Sequence, residues 1–415
     1  MPSTTASNPT PVEKSRLLRF TGHSYFRQRL VLSLLSGRPV RIDSIRSDAS
    51  SPGLCDFEAS FLRLIEKVTN GSHVEISYTG TSVLLRPGVI AGGNVSHDCP
   101  TSRSVGYFAE WIMVLAPFAK KELSLTLRGL TARQGDLGVD TLRTVTLPHL
   151  SLFLPLDTLS TLSSALELRI LKRGSPPLGG GEIHLRCPTL AHLSTLNFIA
   201  PGRIKKIRGI ANATRVSPQM ANRMIDHARS ILQRYIPDLY LFADVYRGDD
   251  SGKSPGFGLS LVASSTTGAI YSSEAISRPS NQETGEEALT PEDVAALAAR
   301  QLLEEVAKRG CIDPAHQPMV LTLMALGPQD VARCRMGKLT PNAIQTMRDI
   351  KEGLGVTFKV KRVQDEDQTS AQQDDDDDEE EEDEDEADNH PKRIVPEEIM
   401  VSCVGINFRG FKKVA

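Results

Sequence analysis

One order of local patterns, helix, strand, helix, strand, strand, recurs three times along the chain. A recurring unit of this kind restricts the possible folds more than any single motif, because copies must stack on one another to bury faces that none can bury alone. The first copy predicts a helix around Tyr25 to Leu35, a strand Val40 to Ile45, a helix around Asp56 to Val68, and strands His73 to Tyr78 and Ser82 to Arg86. The second predicts a helix near Val105 to Ala119, a strand Glu122 to Leu127, a helix around Asp140 to Leu152, and strands Ala165 to Leu171 and Glu182 to Arg186. The third opens at Thr290, Pro291, Glu292 and Asp293, where Thr caps, Pro suits the first turn and acids favour a helix N-terminus. Its apolar Val294, Leu297, Ala298, Leu302 and Val306 recur at helical spacing and read as core. A strand Met319 to Leu326, a helix opened by Thr340 and Pro341, and strands Val356 to Arg362 and Glu398 to Phe408 complete the copy.

Between the second and third copies the pattern breaks. A strand Arg203 to Ala213, a helix opened by Ser217 and Pro218, a strand Leu239 to Tyr246, and strands near Gly256 to Ala263 and Ala269 to Ile276 predict a small α+β unit inserted in a larger α+β domain. The expected division is a disordered tail over 1–18, repeats one and two over 19–189, the insert over 190–282, and repeat three over 283–415. The Ser/Thr/Pro-rich start does not read as a signal peptide. No apolar run approaches the roughly 18 residues of a membrane span, so no membrane partner is expected. The six cysteines are scattered without a Cys-x-x-Cys pair, which points to a reducing compartment and away from zinc.

The net charge of −3 conceals a division. Of the 51 acids, 17 fall between Gln364 and His390, a segment without Lys or Arg; this leaves 34 acids against 48 basic residues, a body of net charge near +14. The acidic segment reads as a disordered hairpin loop over 364–390, either merely solvated or a docking site for a basic partner. A basic body suits RNA or another polyanion, and equally an even scatter of surface charge.

The most specific string runs Arg173, Gly174, Ser175, Pro176, Pro177, Leu178, Gly179, Gly180, Gly181. As a Gly/Pro turn it explains its glycines and not the rest. The whole string resembles the signature of the RNA 3'-terminal phosphate cyclase family, as do Gly37-Arg38-Pro39, Ser44-Ile45-Arg46, Pro52-Gly53-Leu54, Arg86-Pro87-Gly88 and Gly92-Gly93 in order. The resemblance implies three βαβαββ-type repeats forming a large domain, with a smaller thioredoxin-like α+β domain inserted before the third. It also implies a histidine that takes AMP from ATP and passes it to an RNA 3'-phosphate. Near the position of that histidine stands Lys338. The family's Glu-Gly-Gly-Gly-Gln loop is replaced by Phe20-Thr21-Gly22-His23-Ser24, Ala49 stands for an arginine, and His316 for an acid, while Arg27 remains.

These departures resemble the cyclase-inactive, nucleolar branch of the family. The branch implies a non-catalytic factor in early processing of small-subunit (18S) precursor rRNA, with a ribosome-assembly GTPase, the U3 small nucleolar particle and precursor rRNA as partners, and no cofactor. Arg27, Arg46 and Lys338 would form an anion seat. Arg203, Lys205, Lys206 and Arg208 form a candidate RNA patch; alternation sends Arg203 and Lys205 to one face and Lys206 and Arg208 to the other, so a merely solvated edge strand is the competing reading. The rival reading is an endoribonuclease using Arg348, Asp349 and Lys351, a carboxylate base flanked by cations; a surviving cyclase is the third. His23 could lie near the family's old pocket, although an isolated histidine is more often a hydrogen-bonded structural residue; His149, His184 and His227 show no ligand spacing to one another, so no metal site is expected.

Overall fold

The computed structural model describes residues 17–155, 165–279, 287–363 and 398–410. Most of the expected tail and the acidic loop 364–390 lie outside the described residues, although Leu18, assigned to the tail, already belongs to the first strand.

The chain is α+β. Its first sheet is built from β1 (Leu18–Thr21), β2 (Val40–Asp43), β3 (His73–Ile76) and β4 (Val83–Arg86) in the order β1-β2-β4-β3, with β1 parallel to β2 and the remaining pairs antiparallel. Helix α1 (Phe26–Ser36) makes the parallel crossover and α2 (Asp56–Val68) links β2 to β3. The second sheet repeats this order with β5 (Gly93–Asp98), β6 (Leu123–Gly129), β7 (Glu167–Lys172) and β8 (Gly181–Cys187), arranged β5-β6-β8-β7. Its crossover is α3 (Val105–Leu115); the following helical run joins α-turns Val139–Thr141 and Leu147–Ser151 through a π-helical stretch Leu142–Thr146.

The third sheet corrects the sequence reading in three places. Its leading strand is β9 (Asn197–Phe198), inside the segment assigned to the insert, parallel to β14 (Val331–Met336). The run expected as a strand, Met319 to Leu326, is instead a helix over Gln317–Leu326. Every residue of that helix is buried, so its sequence is apolar on all sides, and period alone does not separate a buried helix from a buried strand. The helix opened by Thr290, expected in repeat three, packs elsewhere. β15 (Lys359–Arg362) and β16 (Ile399–Val404) complete the order β9-β14-β16-β15.

The insert is thus spliced into the crossover between β9 and β14. It runs β10 (Ile204–Thr214), α5 (Gln219–Leu232), β11 (Leu239–Tyr246), β12 (Gly256–Ser265), β13 (Ile270–Ile276) and α6 (Pro291–Ala307), with sheet order β11-β10-β12-β13. Here α4 denotes the run through Val139–Thr141 and Leu147–Ser151, α7 is Gln317–Leu326 and α8 is Pro341–Leu354. α6 contributes Val294, Ala295, Ala298, Ala299 and Leu302 to the insert's own core beside Met224 and Ala228 of α5, while Leu297 faces outward at 40% exposure. A separate continuous core joins the three repeat sheets.

The Arg173 string does more than turn the chain. The Arg173 side chain is buried and its guanidinium bridges Asp140 of the second repeat (2.8 Å) and Asp244 of the insert (2.7 Å). Its backbone N–H donates to Asp250 of the insert and Lys253 donates back to the Gly179 carbonyl. A Cβ on Gly252 would stand 2.5 Å from the Arg173 carbonyl oxygen, so the close approach of the two backbones requires glycine there. The string therefore seats the insert on the second sheet.

Candidate anion-binding pocket

Three arginines from separate parts of repeats one and two converge on a cavity of about 350 Å³. Arg27 comes from the first turn of α1. Arg46 follows β2 in a loop where its own φ is +48°, a left-handed conformation unfavourable for a side-chain-bearing residue and found where a site demands it. Arg103 precedes α3. Phe57, Tyr107 and His23 also line the space, and Asn342 reaches it from the start of α8, whose N-cap Thr340 accepts from the Ala343 N–H at 3.0 Å.

Each arginine already has a carboxylate. Arg27 meets Glu110 at 2.8 Å and lies 3.9 Å from the centroid of the Tyr107 ring. Arg46 makes a two-point pair with Glu58 at 2.6 and 2.9 Å, and Glu58 also accepts from the Cys55 N–H that opens α2. Arg103 meets Asp136 at 2.6 Å and lies 4.7 Å from the Tyr107 ring centroid. Burial raises the Asp136 carboxyl above its ordinary range despite the hydrogen bond from Ser104 and the charge of Arg103, and burial likewise raises the Tyr107 phenol. Three cations and three acids leave the pocket close to neutral. The pairs use only part of each guanidinium's donor set, and Arg103 Nε has no hydrogen-bond partner, so an incoming phosphate would meet spare donors in a field of little net charge.

Of the expected anion seat, Arg27 and Arg46 share this pocket, whereas Lys338 is exposed and absent from its lining. Lys338 is instead held through its carbonyl, which accepts from the Gln317 amide at 3.2 Å. Arg103, Phe57 and Tyr107 were not singled out from the sequence; no local motif marks residues that meet only when α1, α2 and α3 pack.

The expected nuclease trio does not gather. On α8 Arg348 and Lys351 face solvent, while Asp349 is 5% exposed and points at α1. Its carboxylate accepts from Arg29 at 3.2 Å and from Gln345 at 2.7 Å. Burial raises its affinity for protons, with those two hydrogen-bonding partners opposing. Successive residues on a helix lie about 100° apart, so a buried Asp349 cannot present itself between two outward cations.

Arg203 and Lys205 are exposed as expected, but the edge-strand reading is corrected: β10 lies inside the sheet. Only its first residues overhang β11, whose pairing begins at Ile207, and a bulge at Lys205 breaks the alternation expected there.

The structure also joins residues the sequence kept apart. His149, Asp313 and His316 are buried with ligand atoms within 4.8 Å of one another, a set that could hold a transition metal. The cluster also closes by itself: His316 pairs through Nδ1 with Asp313 at 2.7 Å and through Nε2 with Thr146 at 2.7 Å. Burial, helped by the charge of neighbouring His316, lowers His149 to about 4, with Asp313 and the Val145 carbonyl opposing. Burial alone would depress His316 too, but the charge and hydrogen bond of Asp313 outweigh it and raise it.

The sequence pattern described as RNA 3'-terminal phosphate cyclase matches residues 18–360, from β1 through the pocket and the insert into β15. The chain belongs to the RNA 3'-terminal phosphate cyclase family. It is 48% identical over 396 residues to an RNA 3'-terminal phosphate cyclase-like protein of Bos taurus, covering 95% of this chain and 97% of the relative. It is 45% identical over 352 residues to the rRNA processing protein rcl1 of Schizosaccharomyces pombe, covering 84% and 93%. The rRNA processing protein RCL1 of Saccharomyces cerevisiae is 42% identical over 352 residues, covering 84% and 92%. Within this cyclase-family chain, the loop bearing His23 and the arginines Arg27 and Arg46 fall on one cavity, while Lys338 and the group around His316 lie off its lining.

Proposed function

We propose that this cyclase-family chain is a binding factor for early processing of small-subunit (18S) precursor rRNA and not a cyclase. The observation that carries this reading is the pairing of Arg27, Arg46 and Arg103 with Glu110, Glu58 and Asp136: the pocket holds its own counter-charges, which leaves little net positive field to stabilise a transferring phosphoryl group. The names of the fungal relatives support the rRNA setting. The proposed partners are a ribosome-assembly GTPase, the U3 small nucleolar particle and precursor rRNA, in the nucleolus, and they rest on the resemblance to the nucleolar branch. RNA contact is proposed through the basic body, with Arg203 and Lys205 on the insert, which we take as a unit separate from the three repeats. The endoribonuclease reading gains nothing from the geometry, since Asp349 is engaged by Arg29 and Gln345.

Purified full-length chain incubated with labelled ATP and RNA ending in a 3'-phosphate tests the reading. No label on the protein, no cyclic ends, and salt-sensitive binding of a precursor rRNA fragment are the expected results. Covalent AMP on Lys338, or any ATP-dependent cyclic end, overturns it.

A further inference from the structure

The sheet of the insert has two unlike faces. One is covered by α5 and α6, which bury Ile207, Ala211 and Leu241. Side chains alternate along a strand, so the residues between these point the other way. There Tyr240 is 61% exposed and Phe242 40% exposed, with ring centroids 6.3 Å apart and planes 34° from parallel. In register, Arg208 stands beside Tyr240 and Ile210 beside Phe242. Lys206 follows on the Arg208 side, and exposed Lys205 and Arg203 extend the row past the end of β11. Among the described residues, Arg208 meets Asp238 at 2.8 Å, whereas no ion pair occupies Arg203, Lys205 or Lys206. Across the sheet from Phe242 the same face already closes on the body, with Ile210 and Ser260 buried and Glu274 accepting from the Gly138 N–H, and farther along Asp244 meets Arg173, so the face is open along β11 and the start of β10.

A scattered exposed aromatic needs no explanation, but two neighbouring rings followed, past the start of β11, by a row of cations without ion pairs form a particular chemical surface. Flat rings stack unpaired bases whatever their sequence, and ammonium and guanidinium groups beside them track the phosphates. A duplex hides its base faces and leaves such rings nothing to hold.

We propose that the open face of the insert's sheet binds single-stranded RNA, with Tyr240 and Phe242 stacking bases and Lys206, Lys205 and Arg203 meeting phosphates. The proposal rests on the RNA-binding reading above and gives it a place and a strand preference. The net charge of this strip suits a polyanion, and its rings suit nucleobases better than they suit a charged peptide.

Fluorescence anisotropy on the full-length chain tests it, using a labelled oligouridylate and an RNA duplex of equal length. Tyr240→Ala and Phe242→Ala should each weaken oligouridylate binding on the order of tenfold and leave duplex binding unchanged. Tyr240→Phe, which keeps the ring, should bind as the parent does, and Lys205→Glu with Lys206→Glu should flatten the dependence on salt. Crosslinks from a 4-thiouridine strand should fall on the peptide carrying Tyr240 and Phe242. All four positions are at the surface, and an unchanged thermal midpoint verifies that the variants fold. If the parent binds oligouridylate and both alanine variants bind it equally well, the platform is refuted, the face is left to a protein partner, and the RNA-binding reading survives. If the parent binds no RNA at all, the RNA-binding reading fails and the platform with it.

Discussion

Glu274, on β13 of the insert, reaches across to repeat two and should make the stability of the chain fall as pH rises. One carboxylate oxygen accepts from the Gly138 N–H at 2.9 Å and the Thr141 hydroxyl at 3.1 Å, while Oε1 is sealed from solvent without a partner. Burial pushes the carboxyl from its ordinary 4.5 up to about 7, the charge of Asp140 adds to the effect, and the two hydrogen bonds and Arg173 only partly oppose it. The folded chain therefore keeps a proton that the unfolded chain has released. Its stabilising share is complete below the ordinary value and is lost as pH rises through about 7. At about 1.4 kcal/mol per pH unit, the span corresponds to about 3 kcal/mol. Glu274→Gln keeps the acceptor oxygen and cannot ionise. Urea unfolding of parent and variant from about pH 5 to pH 8 should show similar stability at the acid end and an advantage of about 3 kcal/mol for the variant at the alkaline end. Parallel pH profiles for the two proteins would refute the reasoning.

Arg173→Met should cost about 3 kcal/mol, because it leaves buried Asp140 with only the longer contact to Arg143 and Asp244 without its partner; limited proteolysis should then cut between insert and body first, and wild-type resistance counts against the bridge. Asp349→Ala leaves Arg29 buried without its carboxylate and should lower the urea midpoint by an amount corresponding to about 3 kcal/mol, with RNA affinity unchanged; a selective loss of RNA cleavage with intact stability would instead restore the nuclease reading. Gly138→Ala places a Cβ 1.9 Å from Oε1 of Glu274, so the carboxylate must leave its site. The expected loss is about 1–3 kcal/mol together with the pH dependence assigned to Glu274, and retention of that dependence would count against the assignment.

The parts of the fold legible in the chain were those whose signals are local. Caps such as Thr290 with Asp293 and Thr340, the amphipathic stripe of α2, and the strand pairs flanking Gly/Pro turns all announce themselves within a few residues. The leading strands did not. β5 reads Gly-Asn-Val-Ser-His-Asp, with only Val95 and His97 facing inward, and β9 is two residues long; such segments become strands because a partner strand lies alongside. The site was less legible than the fold. Arg27 and Arg46 were found through the family motifs, but Arg103 and Tyr107 carry no motif, and the outward Arg348 and inward Asp349 look alike in a list of charged residues.

Residue order alone determined a mixed α+β chain and the positions of most of its helices and strands, since periodicity and turn chemistry act over a few residues. It also marked a turn at the Arg173 string, which only the tertiary structure made a junction. Tertiary structure decided which carboxylate neutralises which arginine, which core claims α6, and that β9 pairs with β14 across the whole insert. Those outcomes depend on contacts between residues tens to hundreds of positions apart, where burial makes an unpaired charge or an unmatched strand edge costly. Of the three cations that read as a seat for phosphate, Arg27 and Arg46 are thereby held in ion pairs and Lys338 stands off the pocket.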